Sequence, residues 1–280
     1  MTDRRRAVRA QRVRGRFGRA GVLARIVSSA CIVSLAVAAC STVVPPIPRS
    51  APTVTDPAAQ RLLTTAIGAL ATTSYQVRVT ASHGRLIGTG SVLPASSTFD
   101  VRRTTAVEGD QLAVSARRIG GAVWLNVDYP SLNADLHITP AQWVTAAPKR
   151  LSAGPDAPFD LSGSDPFDLA GLLAGVTVVR AYDSRHLTGI IDYTRSHGVS
   201  APDADELSEA GTAATSTPFG VTLDGGGRLL SVVIDADGYN GDLTRMVALS
   251  GYGSVTPPVR PPAAVVVPTP AAVYELFNEG

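Results

Sequence analysis

Between residues 75 and 127 apolar and polar side chains alternate with a period of two, in short runs divided by turn residues and with no helical stretch between them. The runs cover 75–82, 85–93, 97–104, 111–118 and 121–127, and their links carry His83-Gly84, Pro94-Ala95-Ser96 and Glu108-Gly109-Asp110. Parallel pairing needs a crossover of about a dozen residues or more, and these links are too short for one. The segment is therefore expected to form one antiparallel meander. The pattern returns later in the chain. Residues 176–182 and 185–194 read as a hairpin about Asp183-Ser184, and 218–223 and 228–234 as another turned by residues 224–227, with 243–252 as the last strand.

Helical signals are fewer. Asp56-Pro57 supplies an N-cap acceptor and a first-turn proline, and Leu62, Leu63, Ala66, Ile67, Ala69 and Leu70 then recur at helical spacing. Asp165-Pro166 repeats that start ahead of Phe167, Leu169, Leu172 and Leu173. Residues 203–210 read as a short acidic helix whose Asp203, Asp205, Glu206 and Glu209 form a solvated face. Pro140 to Trp143 could open a further short helix, 148–164 reads as loop, and 255–270, with six prolines, should be irregular along a surface or an edge. Residues 271–277 could add one closing helical turn. The expected class is α+β: about ten or eleven strands in a long antiparallel sheet, about three helices, and a single domain over 56–255 with a Pro-rich tail over 256–280.

Several strands are apolar on both faces, most clearly Leu229, Leu230, Val232, Val233 and Ile234. An open antiparallel sheet usually keeps one face wet, so something must cover each. Either helices cover one side and loops the other, or helices fill one side and an apolar cavity lies on the other. Alternate apolar positions name the candidate cavity-lining residues: Val77, Val79, Leu112, Val114, Val123, Leu125, Leu187, Ile191, Val232 and Ile234. A slip of one residue in register would exchange the two faces.

The charge is unevenly placed. Of 25 Lys+Arg and 23 Asp+Glu, residues 1–39 hold nine arginines and one acid, which leaves residues 40–280 with 16 basic and 22 acidic side chains. The overall pI of 8.7 thus belongs to the N-terminal segment, and a nucleic-acid partner is disfavoured for the rest. That Arg-rich segment ends at Arg25, a 14-residue apolar run spans 26–39, and Cys40 follows. A basic region, a short apolar core and small residues before a cut form an export signal, too short to span a bilayer. Leu35-Ala36-Val37-Ala38-Ala39-Cys40 resembles a bacterial lipobox, whose cysteine becomes a thioether to diacylglycerol and the new N-terminus. Residues 1–39 are the expected signal peptide and 40–55, rich in Pro, Ser and Thr, the expected tether. Two or three acyl chains on Cys40 hold a protein on a bilayer where one would let go, at ~0.8 kcal/mol per buried methylene. With Cys31 removed and Cys40 alkylated, the mature chain has neither free thiol nor disulfide.

Enzymatic patterns are missing from the sequence. Ser250-Gly251-Tyr252-Gly253 has the wrong order for a nucleophile elbow, and no phosphate loop or dinucleotide glycine fingerprint occurs. His83, His137, His186 and His197 have no metal-binding spacing, and the acidic stretch 235–242 lacks the spacing and terminal glutamate of a calcium loop. No enzyme, metal or cofactor is expected.

Lipobox, tether, opening helix, meander and a later helix–hairpin (Asp165 to Leu173, then Val176 to Tyr193) resemble the mycobacterial lipid-carrier lipoproteins of the LppX/LprG group. His186-Leu187-Thr188-Gly189-Ile190-Ile191-Asp192 is similar to that family's strand with a glycine ahead of apolar residues. Pro218 to Asp224 with Leu229 to Asp235 is similar to its penultimate hairpin, and Val247 to Gly253 before Pro257-Pro258 to its final strand and proline exit. The strand around Trp124 fits the same order. The resemblance implies a half-barrel, with a curved sheet and helices in its concave side around an acyl-chain cavity. It further implies a monomeric envelope protein, anchored outside the cell membrane, that binds or carries lipids or lipoglycans and meets transport partners. A lipid-anchored structural or signalling module without cargo is the alternative.

Overall fold

The computed structural model describes residues 54–81, 86–107, 110–151, 157–235 and 244–278. The expected signal peptide, Cys40, nearly all of the expected tether, His83-Gly84, Glu108-Gly109 and most of the acidic stretch 235–242 lie outside them.

Twelve strands form one open sheet. In chain order they are β1 (Tyr75–Ala81), β2 (Leu86–Leu93), β3 (Thr98–Val107), β4 (Asp110–Ile119), β5 (Ala122–Asp128), β6 (Trp143–Ala146), β7 (Val176–Ala181), β8 (His186–Ile191), β9 (Thr217–Leu223), β10 (Leu229–Ile234), β11 (Arg245–Ser250) and β12 (Val266–Pro268). Across the sheet the order is β12-β6-β5-β4-β3-β2-β1-β11-β10-β9-β8-β7. The two meanders thus run outward from a central β1–β11 pair. All pairings are antiparallel except β12 with β6. Four α-helices accompany it among the described residues: α1 (Pro57–Leu70), α2 (Leu169–Leu173), α3 (Ala204–Ala210) and α4 (Ala271–Asn278). The α+β class is as expected, with one strand and one helix more than the upper counts.

The caps explain where the helices begin. The Asp56 carboxylate accepts the Ala58 N–H at 2.8 Å with Pro57 in the first turn, and Ala59, Leu63, Ala66 and Leu70 face inward. Leu62, expected on that face, is 38% exposed. The Asp56 N–H and the Thr55 hydroxyl donate to the Val179 and Thr177 carbonyls, which fastens the helix start to edge strand β7. α3 has a reciprocal capping box between Asp203 and Glu206. The start expected at Asp165-Pro166 falls one turn later. Asp168 is the N-cap of α2, and Asp165 instead accepts the N–H groups of Phe167 and Leu169.

Two further expectations are corrected. Pro140 to Trp143 opens no helix: Asn126 Nδ2 donates to the carbonyls of Pro140 and Gln142, each at 2.7 Å, and Trp143 starts β6. The alternation of Trp143, Val144 and Thr145 suits a strand with one buried residue, and Val144 is 1% exposed. Within the expected Pro-rich tail, residues 266–268 form a strand where irregular chain was expected, and residues 271–278 form the expected closing helix. β12 extends the sheet, with Pro268 tolerated because the strand is an edge, and Val273, Tyr274 and Phe277 are buried.

One glycine is required by packing. A Cβ on Gly189 would press into the Val178 carbonyl oxygen and lie 2.6 Å from the Phe219 ring. Gly189→Ala should cost about 2 kcal/mol by forced displacement of β7, read as a lower midpoint in urea with an unchanged slope.

Candidate lipid-binding face and its cover

Residues directly opposite in a ladder share a face, so the register assigns every strand. Starting from Val77 and Val79, the ladder runs through Gly90 and Gly88 to Val101 and Arg103, then Ala116 and Val114, then Leu125 and Val127, then Val144. In the other direction it runs through Leu249 and Val247 to Val232, Val221, Leu187 and Ala181. All ten sequence candidates lie on this one face. Val77, Val79, Val114, Val123, Leu125, Leu187, Ile191, Val232 and Ile234 are buried in the core, and Leu112 is half-buried against it.

The four helices pack on this face through residues such as Leu63, Leu70, Leu172, Ala210 and Phe277, and part of the cover between them is irregular chain. Residues 157–173 contribute Phe159, Leu161, Phe167, Leu169, Leu172 and Leu173 to the core. The Phe167 ring sits over Gly88, where an added Cβ would come within 2.7 Å of it, and meets Phe159 edge-on at 5.7 Å. Only five of these residues are helical. Side chains fasten the remainder: the Ser200 hydroxyl donates to the Phe167 carbonyl, and the Ser196 hydroxyl to the Leu172 carbonyl at 2.7 Å.

Three arginines share the apolar face, which the sequence reading missed. Arg103, Arg118 and Arg245 stand in phase with Val101, Ala116 and Val247. Their signal was legible, because each continues the period-two series of its strand. Arg103 Nη1 donates to the carbonyls of Ala157, Pro158 and Val199 at 3.2–3.4 Å. Arg118 Nη1 donates to those of Leu161, Ser162 and Gly163 at 2.9–3.1 Å, while its Nε is buried with no hydrogen-bond partner among the described residues. The two guanidiniums thus hold the cover by its main chain. Burial pulls the Arg103 pKa down, Arg245 adds to that, and Glu206 opposes it. Arg245 is 3.5 Å from Glu206. Nearby Tyr193 is buried and its hydroxyl pKa raised, mainly by that burial.

At the sheet end near Tyr75, Asp165 is driven up to about 6 by burial, against the pull of the Leu169 and Phe167 N–H groups. The Tyr75 hydroxyl, 3.5 Å away, is pushed upward by burial and by that carboxylate. A cavity of about 440 Å³ opens elsewhere, between the end of α1 and the β2–β3 link, lined by Thr72, Thr73, Ser74, Leu93, Pro94, Ala95, Ser96 and Gly253. None of the ten candidates lines it. Among the described residues no group of three His, Cys, Asp or Glu could hold a metal, and no helix is long and apolar enough to cross a membrane.

The chain is similar to LprF from Mycobacterium bovis. The TM-score is 0.43 at 16% identity, over 74% of this chain and 98% of that one. LprF falls in the LppX/LprG group that the order of elements resembles. No family model and no curated protein matches the sequence. An overlap this loose leaves function to be read from the chain's own residues.

Proposed function

We propose that the chain is an exported, lipid-anchored envelope protein that takes acyl chains against the inner face of its sheet, beneath residues 157–173. The observation that carries this is the pairing of an apolar face continuous over both meanders with a cover that includes an irregular stretch, residues 157–168, beside its helices. Such a cover, held largely through side chains on main-chain carbonyls, can move without unravelling a ladder. The lipobox ending in Cys40 places the protein at a membrane, and the resemblance of its order of elements to lipid carriers supports the same reading. No catalytic role belongs to it.

A specific observation favours a second reading. Phe159, Phe167 and Tyr193 are buried in the core against the face, and a cavity of about 440 Å³ among the described residues lies elsewhere, smaller than the roughly 1,000 Å³ that several acyl chains need. A partner module without cargo would look like this. Mass spectrometry of solvent extracts from the full chain, purified from membranes, separates the two. Stoichiometric lipid beyond the Cys40 adduct is expected, and its absence under native extraction would sink the carrier reading. Cys40→Ser should abolish the adduct and release the chain from membranes.

A further inference from the structure

The outer face carries a feature that lipid binding does not use. Asp100, Arg117, Trp124 and Thr145 stand opposite one another across β3 to β6. The Arg117 guanidinium pairs with Asp100 at 2.6 Å, lies 4.9 Å from the Trp143 ring centroid, and donates from Nη1 to the Val259 carbonyl at 2.7 Å. Arg260 stands 6.0 Å from the Trp124 ring centroid. Trp124 is only 8% exposed although it is absent from the core cluster. Arg117 is its cross-strand neighbour, and Arg260 of the proline-rich segment stands beside its ring.

Proline keeps a segment extended and leaves its carbonyls free, and aromatic rings beside a donor are what read such segments. The face therefore already holds one proline-rich ligand, its own. That hold is light. The Val259 side chain is 76% exposed, and Thr256, Pro257 and Arg260 are exposed as well. The same pattern occurs near the start of the chain. Val43-Val44-Pro45-Pro46-Ile47, with Pro48 and Arg49 after it, parallels Val255-Thr256-Pro257-Pro258-Val259, with Arg260 and Pro261 after it.

We propose that the Arg117–Trp124–Trp143 face is a receptor for proline-rich segments, and that it takes residues 43–49 of a second copy of this chain in exchange for its own 255–261. Reach decides between the two possible donors. The Thr55 hydroxyl is fixed to β7, nine strands from β5, which is roughly 43 Å along the sheet at about 4.8 Å per strand. The six residues from Arg49 to Thr55 span at most roughly 22 Å. A neighbouring copy has no such limit. The exchange involves no bound lipid and stands apart from the function proposed above.

A labelled peptide of residues 42–50, titrated by anisotropy into the full chain in detergent micelles, tests this. Binding to the unaltered chain should be weak, because its own segment competes at the high local concentration that two attachments enforce. Arg260→Ala with Pro258→Ala should tighten it at least about tenfold, and adding Arg117→Gln, or separately Trp143→Ala, should reverse that gain. Differently tagged full chains should co-purify, and Pro45→Ala with Pro46→Ala should abolish it. Three results would each overturn the proposal: no saturable binding to the loosened variant at millimolar peptide, equal binding after both Arg117→Gln and Trp143→Ala, or cross-links from residues 43–49 confined to single chains.

Discussion

Arg103→Met is expected to lower stability by about 3 kcal/mol, the largest effect of any single substitution considered. Arg103 is half-buried by area, with its guanidinium enclosed by protein on nearly every side. Its Nη1 serves three carbonyls, of which Ala157 and Val199 belong to buried residues. Methionine matches the aliphatic stem but donates nothing, and each carbonyl left without water or a donor costs about 1–3 kcal/mol. The loss should be confined in space. Hydrogen exchange ought to accelerate over 157–173 and around Val199 while the β8–β11 ladders keep their protection. Arg103→Lys should recover part of the loss, since its ammonium can donate to main-chain carbonyls but lacks the rigid planar fork that holds Nη1 among them. Uniform acceleration over the whole sheet would mean that Arg103 supports the sheet itself and does not clamp the cover. If acyl chains enter beneath this cover, the same variant should exchange bound lipid faster.

The second large effect is a pH dependence from Asp165. Its folded pKa of about 6 lies above the ordinary 3.8, so the native chain holds this proton more tightly than the unfolded chain does. Stability from this group is therefore greatest below about pH 4 and falls as pH rises through 4 to 6, by at most about 3 kcal/mol, with no further change above that window. The sign is opposite to that of a salt-bridged carboxylate. Asp165→Asn removes the charge and keeps an oxygen for one of the two N–H groups that Asp165 now serves. Unfolding free energies measured from pH 4 to 7.5 should therefore lose this downward component in the variant. Parallel pH curves for the two proteins would show that Asp165 titrates normally. Asp110, Asp183 and Asp224 are held below the usual carboxylate range by hydrogen bonds and act in the opposite sense at lower pH, so the difference between the two proteins isolates Asp165.

Much of the architecture was legible because its causes are local. Period-two alternation marked the meander strands, Asp183 and Asp224 marked hairpin turns that they close by accepting N–H groups two to four residues ahead, and Asp56-Pro57 and Asp203 marked helix starts. All ten candidate residues share the inner face, since parity along each strand was enough to choose the side. Trp143 was read as helical because its deciding partners, Asn126 and β5, lie distant in sequence. The Asp165-Pro166 start failed by one turn because buried Asp165 serves Leu169 and Phe167 while Asp168 takes the cap.

The amino-acid order by itself determined the class of fold, the inward face of the strands β1, β4, β5, β8 and β10 that carry the ten candidates, and the Arg-rich, lipobox-like N-terminus, since each depends only on neighbours within a few positions. Tertiary structure alone decided that Arg103 and Arg118 clamp residues 157–163, that Val259 and Arg260 meet Arg117 and Trp124, and that β12 closes an edge beside β6. Those contacts join residues 43 to 142 positions apart, and such pairing follows from how the whole sheet disposes its faces, which no short window of sequence contains.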